Sequence, residues 1–412
     1  MLNPSEAATA ILESVSPGAI EQLPLLDSLG RVLAVDAHSP IDIPQRDNSA
    51  MDGYAVRSLD VKGRCPTELR VIEHIAAGAF PQKTLGPGEC SRIFTGAPIP
   101  PGSDGVIRQE YTTSISDTVV RIEQDSDATG NIRRSGEDVA RDSLVVAKGT
   151  ELKPAHLGLL ASVAASTISV YRKPRVAVMT SGDEIADLDE REAILDGSKI
   201  GSSNTYTLLS AVQLAGGFPV PLGIAKDDPV DISRRVAGAS DVDLFVTSGG
   251  VSVGDHDHLR RVFENLGCEQ KFWRIKMRPG KPVAFGVLND IPWIGLPGNP
   301  VSTMVTFELL VRPAIRKMLG LSNPYRRPVP VRVEEAFKSN TSRKDFVRAV
   351  VRSSDGEFFA SLTGAQGSGI LTSMAKANAL LIVPSDVKNV EAGETLPALL
   401  LDDTAHQAEA PY

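Results

Sequence analysis

A chain of 412 residues is too long for a single hydrophobic core and is expected to divide into about two to four domains. With 42% apolar and 23% charged residues it has an ordinary globular composition, and its formal net charge of −8 argues against nucleic acid or an anionic membrane as the main partner. Cys65, Cys90 and Cys268 are scattered with no CxxC pair, which argues against a zinc knuckle or redox pair and fits a reducing cytosol.

The N-terminal stretch MLNPSEAATAILESV has no cationic start and no long apolar run, so no signal peptide is expected. The longest apolar patch, near LGLLASVAA at 157–165, is too short to span a bilayer, and a cytoplasmic location is expected. Residues 4–15 read as a short helix with Ala7, Ala10, Ile11 and Leu12 along one side. The stretch RDNSAMDGYAV, 46–56, gathers Arg46, Asp47, Asn48, Ser49, Asp52 and Gly53 before turning apolar, and reads either as a turn before a strand or as a polar binding loop. From about 65 to 125 short β-prone runs alternate with turn signals, which predicts a small β-domain. PAHLGLLASVAAS, 154–166, is expected to be a second helix with Pro154 in its first turn.

At KPRVAVMTSGDE the pattern changes. The apolar run Val176 to Met179 ends in a Ser-Gly-Asp-Glu loop, and strands then alternate with helices to about residue 320, which predicts a parallel sheet covered on both faces. After the Pro-rich linker LSNPYRRP, strand-like runs suggest a small β-domain or barrel, and the tail DDTAHQAEAPY reads as disordered.

In a doubly wound sheet, ligands bind outside the C-terminal ends of the strands. Three glycine-rich polar loops follow strand-like runs in the middle block: TSGDE at 180–184, TSGGVSVGDHD at 247–257 and GLPGNPVS at 295–302. Asn299 is placed to cap a helix and Pro300 to begin it. Any one loop alone reads as a tight turn; three at one sheet edge read as an anion-binding site. In FWRIKMRPGKP, 272–282, the period-two pattern of a strand would align Arg274, Lys276 and Arg278, with Lys281 just beyond, as a phosphate or oxyanion cradle; the alternative is a solvated edge strand. Glu184, Asp227, Asp255 and Asp257 supply hard oxygens suited to Mg²⁺. The His-x-His pair of DHDH, 255–258, lacks a third ligand and reads as exposed loop histidines rather than a transition-metal site. Thr95, Arg133 and Asp138 are weak signals by spacing alone.

Together these segments resemble the MoeA family of molybdopterin molybdotransferases, related to the corresponding domain of gephyrin. The matching pieces are DNSAMDGYAV, FTGAPIPPGSD, IRRSGEDV, SGDE, SNTYTL, DDP, TSGGVSVGD, RPGKP and LPGNPVS, in the family's order and spanning about residues 4 to 395. The resemblance implies a helical and linker domain (1–43 plus 140–172), an inserted β-domain (44–139), a Rossmann-like, MogA-like α/β domain (173–322), a C-terminal β-barrel (323–402) and a disordered tail (403–412). It also implies a homodimer with each site shared between the β-domain of one subunit and the last two domains of the other. The implied reaction inserts molybdate into adenylylated molybdopterin with Mg²⁺-assisted release of AMP.

By the same resemblance, Asp52, Thr95, Arg133, Asp138 and Glu184 would act in metal transfer, and Glu184, Asp227 and Asp257 would bind Mg²⁺. Substrate would be held by Ser248, Gly249, Gly250, Ser252, Arg274, Lys276, Arg278, Lys281, Pro297, Gly298, Asn299, Pro300, Ser302 and Ser368. Molybdopterin adenylyltransferase and molybdoenzyme apoproteins are the implied protein partners. The sequence departs from the family in three places. Arg274 and Arg278 stand where relatives often carry Lys, Thr180 and Ser181 are exchanged, and His258 replaces a frequent aromatic. Two other functions compete: adenylyl transfer from ATP, whose enzymes tend to carry GGTG where this chain has GGVSVG, and a gephyrin-like dimeric scaffold, for which no fused domain is present.

Overall fold

The computed structural model describes residues 1–250, 258–339, 342–354 and 356–402; the tail 403–412, expected above to be disordered, lies outside them. The chain forms two compact units, one of Gln22–Ser169 and one of Met1–Glu21 with Val170–Tyr412.

In Gln22–Ser169 a six-stranded sheet runs in the order Gly105–Arg108, Gly53–Val56, Glu89–Ile93, Thr67–Ile75, Val119–Ile122, Thr112–Ser116. Its core gathers β-branched side chains such as Val56, Ile75, Ile93, Val106, Ile107, Val120 and Ile122, the residue types that pack well on a pleated surface. This is the β-domain expected from the 65–125 pattern. The polar stretch 46–56 is pinned at both ends. Asn48–Ser49 pairs antiparallel with Ile132–Arg133, and Gly53 sits between two strands, where an added Cβ would lie 1.9 Å from Ile107 O. Only glycine fits there, so the Asp-Gly pair is a packing requirement as well as a turn signal.

In the larger unit a six-stranded sheet runs Phe218–Ala225, Arg175–Ser181, Leu244–Ser248, Ile291–Leu296, Pro282–Leu288, Glu269–Arg274. The first four strands are parallel and the last two are added antiparallel. Every residue of Leu244–Ser248 is buried, as in a strand covered on both faces, with the apolar Leu244–Val246 followed by the buried hydroxyls of Thr247 and Ser248. Helices Pro229–Ala237 and His258–Asn265 place Ile232, Val236, Leu259 and Phe263 in the core, where Phe263 stacks on Trp293 at 4.0 Å between ring centroids. Burying such side chains contributes about 1.5–3 kcal/mol each. Trp293 Nε1 donates to Thr247 Oγ1 at 2.9 Å, so the one polar atom of the stacked ring is satisfied.

The same unit holds the barrel. Strands Lys344–Ser354, Glu357–Leu362, Val329–Val333, Thr395–Leu400 and Ala379–Val383 pair in that order, and Ala379–Val383 returns to Lys344–Ser354 to close the ring. Closure leaves no free edge, and Val331, Val347, Ala349, Ala360, Leu381 and Ala398 fill the interior. Among the described residues no helix is long and apolar enough to cross a membrane. Cys65, Cys90 and Cys268 are free thiols, and burial pushes Cys90 up to about 12.

Candidate active-site cavity

The first connection leaves Arg175–Ser181 for Phe218–Ala225 on one side, and the next strand, Leu244–Ser248, pairs on the other. The crevice between the C-terminal ends of Arg175–Ser181 and Leu244–Ser248 is therefore a topological switch point, the place where open α/β sheets bind ligands. A cavity of about 600 Å³ opens there, lined by Ser181, Gly182, Glu184, Asn204, Asp227, Ser248, Gly249, Gly250, Pro297, Gly298, Asn299, Pro300 and Gly369 among others. All three glycine-rich loops singled out in the sequence reach it. Two glycines are required by geometry. Gly249 has φ +97°, and a Cβ on it would fall 2.7 Å from Ser181 O; Gly182 has φ +148°, and a Cβ would fall 2.7 Å from Glu184 Oε1.

A hydrogen-bonded frame fixes these loops. Asn204 Nδ2 donates to Ser248 Oγ at 2.9 Å and to Gly298 O at 2.8 Å, while Ser248 Oγ and Thr303 Oγ1 donate to Pro297 O at 2.9 and 2.6 Å. Beneath them, buried Thr180 and Thr205 hydroxyls lie 2.9 Å apart, and Ser202 Oγ lies 2.6 Å from Thr205 Oγ1. Asn299 occupies the position before helix Pro300–Thr306, and Pro300 begins it as expected, but the Asn299 side chain makes no capping bond. Ser302 is buried within that helix and does not line the cavity.

The barrel contributes through the loop 363–369. Val301 N–H donates to Ser368 O at 3.1 Å, which brings Gly369 to the cavity wall. That loop is held by Arg348, only 1% exposed, whose guanidinium donates to Ala365 O at 3.2 Å, Gly367 O at 3.1 Å and Ser373 Oγ at 2.9 Å. Arg348 and Asn204 are missing from the residues singled out by sequence. Asn204 does lie in the quoted SNTYTL, and only its position opening the helix Ser203–Leu214 hinted at a role.

The carboxylates Glu184 and Asp227 line the same cavity, and Asp227 N–H donates to Asp183 Oδ1 at 3.2 Å. Among the described residues no group of three or more His, Cys, Asp or Glu converges as a metal cluster. Paired carboxylates with water completing the shell are the usual protein contribution to Mg²⁺, so Glu184 and Asp227 fit that ion. Ser252, Asp255 and Asp257 lie outside the described residues.

The cation series is not one strand, contrary to the period-two expectation. Glu269–Arg274 ends at Arg274 and is distorted on the way, between Gln270 and Phe272 and again between Phe272 and Arg274. Ile275 is fully buried, and Met277–Arg278 pairs instead with Lys344–Asp345 of the barrel. Arg274 lies over the Trp273 ring at 4.6 Å, Arg278 pairs with Asp345 at 3.5 Å, and Lys276 and Lys281 are exposed. None of the four lines the cavity, although Pro282, next to Lys281, does.

In the unit Gln22–Ser169, Thr95 donates from its backbone N–H and its hydroxyl to Asp52 Oδ1, each at 2.8 Å. These bonds, first the backbone one, with help from Arg92, hold the Asp52 carboxyl below its ordinary value. Arg133 is exposed beside Asn48, its strand partner. Asp138 is exposed, and its N–H donates to Ile43 O at 2.9 Å.

Comparison with known proteins gives concordant matches. Family models match in chain order: the MoeA N-terminal region (domain I and II) over residues 2–164, a probable molybdopterin binding domain over 177–317, and the MoeA C-terminal region (domain IV) over 330–401. A protein of Nostoc sp. named molybdopterin molybdenumtransferase is 35% identical over 388 residues, covering 90% of this chain and 86% of that one. One of the same name from Haemophilus influenzae is 35% identical over 401 residues, covering 96% and 98%. The crystal structure of a molybdopterin biosynthesis moeA protein from Pyrococcus horikoshii OT3 matches with a TM-score of 0.83 at 28% identity, over 97% of this chain and 100% of that one.

Proposed function

We infer the reaction from a plain premise: the chain belongs to the MoeA family of molybdopterin molybdenumtransferases. It is a transferase of molybdenum cofactor biosynthesis. We propose that it takes adenylylated molybdopterin and molybdate, passes the metal to the pterin dithiolene and releases AMP, working as a cytoplasmic homodimer that exchanges substrate and product with molybdopterin adenylyltransferase and molybdoenzyme apoproteins.

The observation that carries this reading is the cavity at the switch point. The loops at Gly182, Gly249 and Gly298 line it, and Glu184 and Asp227 line it with them. Glycines without side chains let backbone N–H groups approach an anion, which suits a phosphoanhydride, and carboxylates suit the cation that accompanies it. Glu184 and Asp227 would hold Mg²⁺, which when bound supplies charge neutralisation at the phosphoryl oxygens. Ser248, Gly249, Gly250, Pro297, Gly298, Asn299 and Pro300 would orient the nucleotide and pterin, with Ser302 supporting them from inside the helix and Ser368 contacting the pterin end. Arg274, Lys276, Arg278 and Lys281 would offset phosphate and molybdate charge. Asp52, ionised and held by Thr95, would act with Arg133 and Asp138 at the metal-transfer step. Catalysis is then mainly positioning and charge stabilisation.

The test is turnover. Purified protein with adenylylated molybdopterin, molybdate and Mg²⁺ should release AMP and yield cofactor that activates apo nitrate reductase. Pyrophosphate release from ATP and molybdopterin, with no AMP release from the adenylylated pterin, would establish adenylyl transfer instead; no turnover of either kind by folded protein would favour a scaffold.

A further inference from the structure

Asp52 is fixed by more than Thr95. Its carbonyl oxygen accepts Gln109 N–H at 3.0 Å, and the next carbonyl, Gly53 O, accepts Arg92 Nη1 at 3.0 Å. Arg92 Nη2 donates to Gln109 Oε1 at 2.7 Å. One guanidinium therefore closes a ring through Gly53, Asp52 and Gln109. The strand that carries it, Glu89–Ile93, leads directly to Thr95, whose N–H and hydroxyl hold the Asp52 carboxyl. Backbone and side chain of Asp52 are thus both tied to the segment 92–95.

The guanidinium is itself held. It lies over the ring of Tyr54, its cross-strand partner, at 5.0 Å and over the Phe94 ring at 4.9 Å. Arginine presents its donors as a rigid planar fork, so fixing that plane fixes the two acceptors relative to each other. The place of the ring matters too. Asp52 immediately precedes the strand Gly53–Val56, and Gln109 immediately follows Gly105–Arg108, its pairing partner. The fork thus ties the two chains together where their ladder stops. The positive charge of Arg92 also adds to the Thr95 bonds that lower the Asp52 carboxyl.

We propose that Arg92 is a positioning residue for the metal-transfer step: its fork locks the Asp52–Gly53 backbone to Gln109, so that the Asp52 carboxylate keeps one orientation through turnover. This rests on Asp52 acting at that step, and it assigns the orientation of the carboxylate to a residue that need not touch substrate.

Steady-state AMP release from adenylylated molybdopterin, with molybdate and Mg²⁺, tests it in a double-mutant cycle with Asp52→Asn. Arg92→Met should lower kcat about 10–100-fold and leave KM for the pterin nucleotide within about twofold of the parent, as for a misplaced group rather than a lost binding contact. In the Asp52→Asn background the same substitution should cost less than about twofold, because the group it positions has already gone. Arg92→Lys keeps the charge but not the fork, so its kcat should stay closer to that of Arg92→Met than to the parent. Gln109→Ala removes one bond of the ring at an exposed side chain. It should keep the parental Tm and lose about 2–5-fold in kcat, again only where Asp52 is present, and it serves for the cycle should Arg92→Met not fold. Equal losses in both backgrounds would make Arg92 a residue of the fold or of substrate contact and overturn the proposal. Parental kcat in folded Arg92→Met or in Gln109→Ala, or full activity in Arg92→Lys, would overturn it as well. Parental turnover by Asp52→Asn alone would instead remove the reading on which the brace rests, a result visible before any Arg92 variant is made.

Discussion

Thr95 grips Asp52 twice, through its backbone N–H and its hydroxyl, both on Oδ1 at 2.8 Å. The pairing leaves Oδ2 outside the Thr95 contacts and keeps the carboxyl ionised, since the folded-state value is lowered from 3.8. Asp52→Ala and Asp52→Asn should each reduce AMP-releasing turnover by about 100-fold or more, the scale of losing a charge that a transition state uses. A carboxylate whose value is lowered on folding stays charged from pH 8 to pH 5, so no part of the activity profile in that range should trace to Asp52. Wild-type turnover in Asp52→Asn would show that the acceptor oxygen, not the charge, is what matters.

Glu184 is exposed on the loop after its strand, so Glu184→Gln should fold with an unchanged Tm. If it helps hold Mg²⁺, the magnesium concentration giving half-maximal AMP release should rise about tenfold or more. An unaltered magnesium titration with reduced maximal rate would move Glu184 from ion binding to substrate positioning.

Arg348 braces the loop that carries Ser368 and Gly369. Arg348→Met keeps much of the side-chain volume but leaves the Ala365 carbonyl without the guanidinium and takes one bond each from Gly367 O, which keeps Ile370 N–H, and from Ser373 Oγ, which keeps Thr363 Oγ1. The expected cost is about 2–4 kcal/mol of stability, read by thermal unfolding, together with a raised KM for the adenylylated pterin. A destabilised variant with parental KM would confine Arg348 to the fold.

Asp231 shapes the loop of Asp227 from the following helix. It accepts from Lys226 N–H at 3.1 Å, from Arg235 Nε at 2.9 Å and from Arg234. Chiefly the Arg235 bond, joined by Lys226 and Arg234 against the opposing effect of burial, pushes its carboxyl down from 3.8 to about 2. A value lowered on folding contributes stability that is fully present above the unfolded value and is lost as pH falls through the folded one. Asp231→Asn should therefore lie about 1–3 kcal/mol below the parent at pH 7. In calorimetry at stepped pH, the gap should hold down to about pH 4 and close toward pH 2.

Much of this site is legible in the sequence because its chemistry is local. Gly182, Gly249 and Gly298 follow apolar strand runs directly, and strand-loop-helix alternation places such loops at one sheet edge. The neighbouring Ser and Asp residues mark those loops as polar. What is not legible depends on long-range contact or on where the chain bends. Asn204 reaches Gly298 across 94 positions, and nothing near either residue announces the pair. Arg348 sits in a barrel strand that also carries Arg352, and like it has the look of an edge residue until the loop it holds is seen. The Arg274, Lys276, Arg278 alignment rests on an unbroken period of two. Ile275 and Met277 do stay buried between the cations, but the register shifts before Arg274 and the switch of Met277–Arg278 to the barrel divide the series between two sheets.

The central claim is that the switch-point cavity holds the anionic pterin nucleotide, and the most direct measurement is a crystal structure of the protein soaked with adenylylated molybdopterin and Mg²⁺. The account predicts density for the nucleotide in the cavity of Ser181, Gly249 and Pro297, with the ion near Glu184 and Asp227. Density for the ordered ligand elsewhere on the molecule, with that cavity holding solvent alone, would contradict it.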